Sequence, residues 1–521
     1  MALASLVSFA HTGVQAAEPN RFVSLNVPLR LFSQIRPIDG SWQSFSIEFS
    51  YMADYLGNMS HPNILSHNLL TNLLDRSGKN VIIRAGGSTA NIALFNESQP
   101  YAIENFFNGS TNVGLTGANT DQPSKSILGP AWFEAFQTAP NGTQYIYDLN
   151  YRDNSTAGVN ATVDVAKRVY DILGPSLYAF ELGNEMDNKW NHTYRPDNWG
   201  PELYTQEYLE YTKLFEEHVF KDPIAAPMFQ MGTLMGSGGA FINQPWNSEV
   251  ILGLGIDRYG QIKSASQHDY HGSNCKSTKE IATLRQNLLN HTNVVTRAYP
   301  HMHMSPVVDR YGVEYVIGET NSISCQGRDL VSNVFGSALW YLDYSLYIAS
   351  ATMVSKMYWH MGTPYRYSLW SPFLAEVNSH SALVRPSYYG ALAISEVLGG
   401  SEGDGRKRQV HAVLEEETLV AYAVYDSGRL DSLVVVNMEP WNATQTGPRP
   451  YTRFWLPERL MGSARVKRLT APGSDVKTGA TWGGQTVDEE GNVVGRMVAE
   501  SWNAGQAMDV GYAEAAVLWF K

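Results

Sequence analysis

The chain has 521 residues, of which 44% are apolar and 17% are charged, and its formal net charge is −12. This length predicts a globular protein of two domains, because a single core rarely grows that large. The acidic balance argues against a protein that binds nucleic acid or highly sulfated glycans through broad basic surfaces. No run of about eighteen apolar residues is present, which argues against a membrane span.

The first predicted elements are a leader and a set of glycosylation sequons. Residues 1–17 are mostly small and apolar and Val14-Gln15-Ala16 fits a signal-peptide cleavage site, although no Lys or Arg precedes the apolar part. Nine Asn-x-Ser/Thr sequons strengthen the prediction of a secreted, extracellular protein, with unglycosylated polar loops as the alternative. The sequons are at Asn58, Asn96, Asn108, Asn141, Asn154, Asn160, Asn191, Asn290 and Asn442.

Eight apolar, β-rich runs alternate with helix-like segments between residues 41 and 378, which predicts repeated βα units and a parallel sheet. Eight such units favour closure into a (β/α)8 barrel. The predicted strands are Phe45–Phe49, Val81–Ala85, Tyr145–Leu149, Leu177–Leu182, Met228–Met231, Ile262–His268, Val313–Ile317 and Met353–Trp359. The predicted helices are Pro62–Ser77, Ala161–Leu173, Thr205–His218, Lys276–Asn290 and Asp329–Tyr347. A long polar connection, Gly86–Asp121, is expected to overhang the active-site face.

The pattern changes after the barrel. Residues 379–521 contain short strand candidates separated by turn signals such as Asp426-Ser427-Gly428, which predicts an antiparallel β-sandwich. The candidates are Val410–Leu414, Leu419–Tyr425, Leu433–Asn437, Thr452–Leu456, Ala464–Leu469 and Ala515–Phe520. Segment 18–40, with a strand-like stretch at Arg21–Phe32, is expected to pair with this sandwich.

Two predicted barrel strands deliver a glutamate just after a glycine. The fourth strand is followed by Gly183-Asn184-Glu185 and the seventh by Gly318-Glu319. Catalytic groups of such barrels lie at the carboxyl ends of the strands, and two facing carboxyl groups, one ionised and one protonated, cleave glycosidic bonds. We therefore expect a retaining glycosidase with Glu185 as the acid/base and Glu319 as the nucleophile. The alternative is that the glutamates only cap surface helices.

Other strand ends carry supporting candidates. Arg84 is expected to keep the nucleophile ionised by charge pairing, unless it is a barrel-core salt bridge, and Tyr270 is expected to donate a hydrogen bond to Glu319. Further candidates for contacting substrate are Asn184, Glu48, Asn150, His268 and Trp359, the last as an aromatic floor under a sugar ring. No set of His, Asp and Glu shows the spacing of metal ligands, so neither a metal nor a cofactor is expected.

Two cysteines, Cys275 and Cys325, each follow a predicted strand by a few residues. They are too few for a disulfide framework or a zinc cluster. In an oxidising compartment we expect one disulfide between them at the barrel rim, with two unpaired thiols as the alternative.

Five of these motifs together resemble family 79 of the clan A glycoside hydrolases, which contains β-glucuronidases and heparanases. The motifs are Phe45–Phe49, Arg84–Ser88, Glu181–Glu185, His268–His271 and Gly318–Ser322. The resemblance covers the chain after the leader. It implies a retaining mechanism with the same roles for Glu185 and Glu319, and a β-domain that contains strands from both ends of the chain.

The resemblance also implies a pocket for the carboxylate of a uronic acid, built from tyrosine hydroxyls and main-chain N–H groups. Gly327, Tyr365 and Tyr367 are the candidates, with Arg328 or Arg366 as electrostatic support. An acidic chain with overhanging loops favours an exo-acting enzyme that releases terminal β-linked glucuronic acid, 4-O-methylated or not, from glycan side chains. The alternatives are an endo-acting retaining glycosidase on a glucuronate-containing polysaccharide and a non-catalytic carbohydrate-binding protein on the same scaffold.

Overall fold

The computed structural model describes residues 21–31, 35–107, 122–221, 227–236, 241–275, 280–372, 383–399, 408–456, 460 and 462–521. The predicted signal peptide, the sequon at Asn108 and the predicted barrel boundary at residue 378 lie outside these ranges. In the part of the chain that the structure describes, no helix combines the length and the apolar character needed to cross a membrane.

Eight parallel strands close into a barrel, and the last strand pairs with the first. Each strand overlaps one of the eight predicted runs, so the predicted fold class is confirmed. The barrel strands are β2 (Gln43–Glu48), β3 (Ile82–Gly86), β7 (Gln144–Leu149), β8 (Leu177–Leu182), β9 (Phe229–Leu234), β10 (Ile262–Tyr270), β11 (Glu314–Asn321) and β12 (Lys356–Met361).

Helices surround the barrel. They are α1 (Met52–Leu56), α2 (Ile64–Ser77), α3 (Thr156–Leu173), α4 (Pro201–His218), α5 (Ser248–Gly253), α6 (His291–Asp309), α7 (Gly336–Ala351) and α8 (Ser387–Leu398). Of the predicted helix at Lys276–Asn290, residues 276–279 lie outside the described ranges, and the described part is helical over one short π-helix, Leu284–Leu288. The side chain of Asn290 accepts the backbone N–H of Asn293 and therefore starts α6, as asparagine does at helix N-caps. The predicted helix at Asp329–Tyr347 begins later, at Gly336.

Helix α8 belongs to the ring of barrel helices, although it follows the predicted end of the barrel. It packs against α2 and α7. The hydroxyl of Tyr388 donates to the carbonyl of Leu69, and the amide of Gln43 on β2 donates to Ser395. The eighth βα unit therefore extends to Leu398.

The barrel interior changes from apolar to polar toward the carboxyl ends of the strands. Near the amino ends, the inward-facing side chains form an apolar cluster; they are Ile82, Ile146, Ala179, Val316 and Tyr358. Two residues further along the same strands lie Arg84, Asp148, Glu181, Gly318 and His360. Because successive side chains in a strand alternate between its faces, this second set also points inward. It forms the polar layer of the barrel.

The long connection after β3 folds into a small sheet of its own. Strands β4 (Ala93–Phe95), β5 (Ile103–Phe106) and β6 (Lys125–Leu128) pair in the order β4-β6-β5. Just before β6, the amide of Gln122 donates to Glu48 at the end of β2. This connection therefore reaches the carboxyl face of the barrel, as the sequence predicts.

The remaining strands form two facing sheets. The larger sheet contains β15 (Arg408–Glu415), β16 (Leu419–Asp426), β17 (Arg429–Asn437), β19 (Ser463–Thr470), β20 (Thr481–Trp482), β23 (Glu500–Asn503) and β25 (Glu514–Phe520). The smaller sheet contains β1 (Arg21–Ser24), β18 (Tyr451–Trp455) and β24 (Met508–Gly511), with β1 parallel to β18. An apolar cluster including Val23, Leu433 and Phe454 lies between the sheets. We call these strands the β-domain.

Four short strands complete the described secondary structure. They form two separate two-stranded sheets, β13 (Trp370–Ser371) with β14 (Leu383–Val384), and β21 (Thr486–Val487) with β22 (Val493–Val494). The first pair lies between the barrel and α8, and the second belongs to the loops of the β-domain.

Candidate active site

Glu185 and Glu319 face each other at the carboxyl end of the barrel. One oxygen of each carboxyl group and a ring nitrogen of His268 all lie within 4.8 Å of one another. The side chain of Glu319 is 8% exposed and that of Glu185 is 18% exposed. Two glutamates that are 134 positions apart in the chain thus share one partly open site.

Glu319 is surrounded by donors and positive charge. Arg84 Nη1 donates to Oε2 at 2.9 Å and the Tyr270 hydroxyl donates to Oε1 at 2.7 Å. His360 Nδ1 lies 3.6 Å from Oε2 and His268 Nδ1 lies 3.9 Å from Oε1. Burial by itself raises the pKa of Glu319, but the charges of His360 and Arg84 and the hydrogen bond from Tyr270 hold the pKa below its usual value. Glu319 is therefore ionised.

Arg84 organises the polar layer of the barrel. Its side chain is fully buried, and every N–H of its guanidinium points at an acceptor or a carboxylate. The partners are Glu181 (2.7 Å from Nε), Ser46 and Glu319 (3.0 and 2.9 Å from Nη1), and Asn184 and Asp148 (2.8 and 3.5 Å from Nη2). Four side-chain hydrogen bonds hold the guanidinium in one orientation, and Asp148 lies within ion-pair distance without a hydrogen bond to it. Arg84 thus contacts the nucleophile and also holds the layer below it.

Glu185 has a different environment. Its Oε1 lies 3.0 Å from His268 Nδ1, and its backbone N–H donates to the carbonyl of Thr233. Burial and the charge of Glu319 raise the pKa of Glu185. Burial lowers the pKa of His268 to about 4, so this imidazole is neutral above that pH and supplies no positive charge. Glu185 therefore keeps its proton at a pH where Glu319 has lost its own.

Asn184 is fixed directly beside the acid/base. Its Oδ1 accepts the hydrogen bond from Arg84, which leaves Nδ2 as the donor of the amide. Its backbone N–H donates to Asn91 Oδ1, and its carbonyl accepts from Asn91 Nδ2. This orientation suits a contact from Nδ2 to a sugar hydroxyl.

Glu48 is 1% exposed and holds other site residues in this structure. Its Oε1 accepts from the N–H and the hydroxyl of Thr89, and its Oε2 accepts from Tyr365 at 3.1 Å. His360 Nε2 lies 3.2 Å from the same oxygen, and His360 Nδ1 lies 2.8 Å from Ser46 Oγ. Burial lowers the pKa of His360, but Glu319 and Glu48 raise it by more, so the net shift is upward. Glu48 therefore places a positive imidazole beside the nucleophile.

Two of the predicted substrate contacts have structural partners instead. Asn150 is half-buried; its Nδ2 donates to the carbonyl of Ala93 and its Oδ1 accepts the N–H of Arg152. Trp359 is 1% exposed, and its ring stacks on Tyr341 of α7 with centroids 3.7 Å apart. Trp359 thus lies on the outer face of the barrel, because strand alternation turns its neighbour His360 inward. The predicted aromatic floor is not formed by Trp359.

The loop after the nucleophile has an unusual backbone. Cys275 and Cys325 form a disulfide, as predicted, and Cys325, Gln326 and Gly327 have φ values of +58°, +66° and +81° in succession. A left-handed backbone is uncommon for residues with side chains. The N–H of Gly327 donates to the carbonyl of Ile323, so a main-chain contact from Gly327 to a ligand would require this turn to open.

Tyr365 and Tyr367 lie close to the nucleophile. Both are buried, and their rings pack edge to face with centroids 5.5 Å apart. The ring of Tyr367 lies 6.0 Å from that of Tyr270 and 6.1 Å from that of His360. The two predicted tyrosines thus belong to the same site as Glu319, on the β12 side.

Sequence reasoning missed most of the polar layer beneath the glutamates. The missed residues are Ser46, Asp148, Glu181, Gln230 and His360. Glu181 accepts from Gln230 Nε2 at 2.5 Å as well as from Arg84. Burial, followed by the charge of Glu181, raises the pKa of Asp148 well above its usual value. Strand alternation was the available signal for three of them: Asp148, Glu181 and His360 each lie two positions after a residue of the inward apolar cluster.

Among the residues that the structure describes, one cluster of His, Cys, Asp or Glu side chains is close enough to hold a metal ion. It consists of Glu185, His268 and Glu319. Both oxygens of Glu319 already accept hydrogen bonds, from Arg84 and Tyr270, and Arg84 supplies positive charge at that point. The absence of a metal and of a cofactor stays a prediction.

The described sequons differ in exposure. Asn96, Asn141, Asn160 and Asn442 are exposed, and Asn58, Asn154, Asn191 and Asn290 are half-buried. Asn191 uses its Nδ2 to donate to the carbonyls of Asn184 and Glu185, and Asn154 donates to Glu207. The four exposed sites are therefore the better candidates for modification.

Comparisons with known proteins show the family of the chain. The model of the glycosyl hydrolase family 79 C-terminal beta domain matches residues 421–517. The chain is 31% identical to a β-glucuronidase of Aspergillus niger over 513 residues, covering 92% of this chain and 91% of the relative. It is 31% identical to a β-glucuronidase of Neurospora crassa, covering 87% of this chain and 86% of the relative.

Solved structures share the fold at lower identity. A 4-O-α-L-rhamnosyl-β-D-glucuronidase from Fusarium oxysporum superposes with a TM-score of 0.77 at 21% identity, covering 95% of this chain and 100% of that one. A family 51 α-L-arabinofuranosidase from Bifidobacterium longum superposes with a TM-score of 0.55 at 13% identity, covering 96% and 99%. The barrel and the β-domain thus occur together in several glycosidases.

Proposed function

The chain belongs to glycoside hydrolase family 79, and we propose that it is a retaining exo-β-glucuronidase that releases terminal glucuronic acid from glycan side chains. The observation that carries the proposal is the glutamate pair. Glu185 and Glu319 lie close together, and their pKa values are shifted in opposite directions, upward for Glu185 and downward for Glu319. A protonated acid beside an ionised nucleophile is what the first step of glycoside hydrolysis requires.

The spacing of the pair favours retention over inversion. Retaining glycosidases hold their two carboxyl groups about 5–5.5 Å apart, and inverting enzymes leave about 6.5–9.5 Å for a water molecule. Here one oxygen of Glu185 and one of Glu319 are at most 4.8 Å apart. A water molecule acting between them on the opposite face of the sugar would have little room.

The first step of the proposed mechanism forms a covalent intermediate. An oxygen of Glu319 attacks the anomeric carbon while Glu185 donates its proton to the glycosidic oxygen, and the leaving group departs with that proton. The product is an ester between Glu319 and the sugar. Arg84 and Tyr270 hold the attacking carboxylate in place.

The second step returns both glutamates to their starting states. Esterification removes the charge of Glu319, and that charge is one cause of the raised pKa of Glu185. The pKa of Glu185 therefore falls in the intermediate, which suits its new role as a base. Glu185 takes a proton from water, the water oxygen attacks the anomeric carbon, and glucuronic acid leaves with Glu319 ionised again.

Recognition of a uronic acid is supported by the relatives and by the chemistry near the nucleophile. Both curated relatives are β-glucuronidases. The buried hydroxyls of Tyr365 and Tyr367 and the positive His360 lie on the β12 side of Glu319. We assign Tyr365 and Tyr367 to the carboxylate of the substrate, joined by the Gly327 loop when its turn opens, and we place Asn184 and Glu48 near the ring hydroxyls.

Exo action and secretion are parts of the same proposal. The β4–β6 connection extends to Glu48 through Gln122, which supports a site closed on one side, as an exo-acting enzyme needs. Secretion is supported by the signal peptide predicted at residues 1–17, by the sequons and by the Cys275–Cys325 disulfide, which persists in oxidising compartments. No nucleic-acid or membrane partner is proposed.

Hydrolysis of p-nitrophenyl glycosides tests the substrate class. We expect kcat/KM for the β-glucuronide to exceed that for the β-glucoside and the β-xyloside at least about 100-fold, because a site built for a polar group rejects substrates that lack it. Proton NMR of the first product formed should show the β-anomer; the α-anomer would overturn retention. Preference for either neutral sugar would overturn the uronide assignment.

Polymeric substrates separate the alternatives. An exo-acting enzyme releases free glucuronic acid from a glycan before the viscosity of the solution falls, and an endo-acting enzyme gives the reverse order. A non-catalytic binding protein would bind the glycan without turnover, and Glu319→Gln would leave that binding unchanged.

A further inference from the structure

The segment that follows the acid/base presents two aromatic rings to solvent. Trp190 is 82% exposed and Tyr194 is 72% exposed, the highest values among the exposed large hydrophobic side chains of the described residues. Single exposed apolar residues are normal on protein surfaces. Here two such residues follow the acid/base Glu185 by five and nine positions, and we refer to them together as the aromatic surface of this segment.

This surface is tied to the acid/base through the backbone. Asn191 Nδ2 donates to the carbonyl of Glu185 at 3.0 Å and to the carbonyl of Asn184 at 3.1 Å. The side chain of Asn188 accepts the backbone N–H of Trp190 at 3.2 Å. The turn that carries Trp190 therefore keeps a fixed position relative to Glu185.

The base of the segment is packed, but its aromatic surface is not. The guanidinium of Arg195 lies between the rings of Tyr151 and Trp199. Tyr194, next to Arg195, has a φ of +65°, which is an outlier for a bulky residue and is typical of functional segments. The fold thus anchors the segment firmly and still leaves Trp190 and Tyr194 uncovered.

We infer that Trp190, with Tyr194 beside it, is a platform for the sugar that the reaction releases. The acid/base must lie at the glycosidic oxygen, so a surface attached to Glu185 on the solvent side lies next to the leaving group. An aromatic face offers a large, rigid apolar surface on which the C–H face of a pyranose ring packs. The occupant is therefore a neutral sugar of a glycan, joined to the terminal glucuronic acid.

This inference rests on the proposed function and specifies its substrate as a glucuronosyl glycan instead of a glucuronide with a small aglycone. The continuity of the platform with Glu185 favours this occupant over a protein or lipid surface. If Trp190 and Tyr194 instead bound a protein or a lipid surface, removing Trp190 would leave the ratio of activities toward large and small substrates unchanged.

Two substrates with different leaving groups test the platform. One is methyl β-glucuronide and the other is a disaccharide in which glucuronic acid is β-linked to a neutral sugar. We expect Trp190→Ala to lower the ratio of kcat/KM for the disaccharide to kcat/KM for the methyl glucuronide by about 5- to 20-fold, and Trp190→Phe to retain most of that ratio. Trp455→Ala, an exposed tryptophan of the β-domain, is the matched control and should not change the ratio.

The outcomes are distinguishable. An unchanged ratio in folded Trp190→Ala, whether both activities stay or both fall together, would overturn the platform, since a purely structural role affects both substrates alike. Circular dichroism and thermal unfolding of each variant establish that it is folded. Failure of the unmodified protein to hydrolyse methyl β-glucuronide and the disaccharide would overturn the proposed function itself.

Discussion

The β11 side and the β8 side of the site each carry a glutamate, but the two glutamates have opposite protonation states. On the β11 side, Glu319 faces the positive charges of Arg84 and His360 and accepts a hydrogen bond from Tyr270. On the β8 side, Glu185 faces a neutral His268 and the negative charge of Glu319 itself. The comparison teaches that surroundings decide which glutamate attacks and which donates a proton.

The backbones of the two sides differ as well. Glu319 lies within β11 and pairs with His268 of β10 just after an irregularity in the register, and the pairing of β11 with β12 passes over it. Glu185 lies just beyond its strand with a φ of +52°, and Gly183 before it also has a positive φ. The nucleophile is thus carried by a barrel strand, whereas the proton donor is carried by a left-handed turn beyond the end of its strand.

Removing the carboxylate of the β11 side should have the largest effect. Glu319→Gln replaces the nucleophile by a neutral amide, so kcat on p-nitrophenyl β-glucuronide should fall at least about 10⁴-fold. Glu314→Gln is the matched control, because Glu314 starts the same strand and bonds Lys356 at the opposite end. It should keep activity within about twofold. Turnover by Glu319→Gln near the original rate would contradict the role of Glu319 as the nucleophile.

Removing the proton donor of the β8 side should give a loss that depends on the leaving group. Glu185→Gln should lower the rate of glycan cleavage by about 10²- to 10⁴-fold, and it should spare the first step with p-nitrophenyl β-glucuronide, because nitrophenolate leaves without a proton. Azide needs no base and should restore turnover of that substrate. Equal losses on glycan and aryl substrates would contradict the acid/base role.

Weakening one donor to the nucleophile should move one limb of the pH profile. Tyr270→Phe removes a hydrogen bond to the ionised form of Glu319, so the pKa of Glu319 should rise by about one unit. The acid limb of kcat/KM then moves to higher pH, and activity below it falls about tenfold. The alkaline limb, which reports Glu185, should stay in place.

Tyr315→Phe is the control for that shift. The hydroxyl of Tyr315 is also buried on β11, but it bonds His301 outside the polar layer. Its removal should leave both limbs of the pH profile unchanged. Movement of the alkaline limb alone in Tyr270→Phe would indicate that Tyr270 acts on Glu185.

The smallest effect on activity is expected for Asp148→Asn. Asp148 is another buried carboxyl group of the polar layer. Burial is the main cause that raises the pKa of Asp148 in the folded protein. Above the unfolded pKa of about 3.9, the unfolded chain therefore loses this proton while the folded protein keeps it. The free energy of unfolding consequently falls as the pH rises through this window. Asp148→Asn lacks this dependence. Its stability relative to the unmodified protein should therefore increase by up to about 1.4 kcal/mol per pH unit within that window.

Thermal unfolding of Asp148→Asn and of the unmodified protein at pH 4.5 and pH 7 measures the difference. A gap between the two melting temperatures that does not widen toward pH 7 would mean that Asp148 is ionised in the folded protein. The polar layer would then carry one more negative charge, and the contrast between Glu185 and Glu319 would need another explanation.

The eight barrel strands and the positions of the two glutamates were predictable because both depend on local pattern. A buried parallel strand is a short apolar run, and the residue just after it lies at the carboxyl face wherever the barrel closes. Helix starts were less predictable: Asn290 caps the start of α6, where the predicted helix was expected to end. A capping hydrogen bond decides between starts that have similar periodicity.

The same local reasoning failed where the direction of a side chain mattered. Trp359 and His360 are adjacent at the end of β12, and the sequence does not state which of them points inward. Pairing of β12 with β2 aligns His360 with Ser46, whose hydroxyl lies 2.8 Å from the imidazole. Trp359 is consequently turned against α7.

The sequence by itself determined the alternation of strands and helices, the two strand-end glutamates and the arginine on β3, because each is written in contiguous residues. Only the tertiary structure supplies the physical reason why one glutamate holds a proton and the other does not. That depends on Ser46, Arg84, His268 and His360, which come from four different strands and approach the glutamates only when the barrel closes. Electrostatic effects act through distance in space, and the sequence alone does not specify those distances.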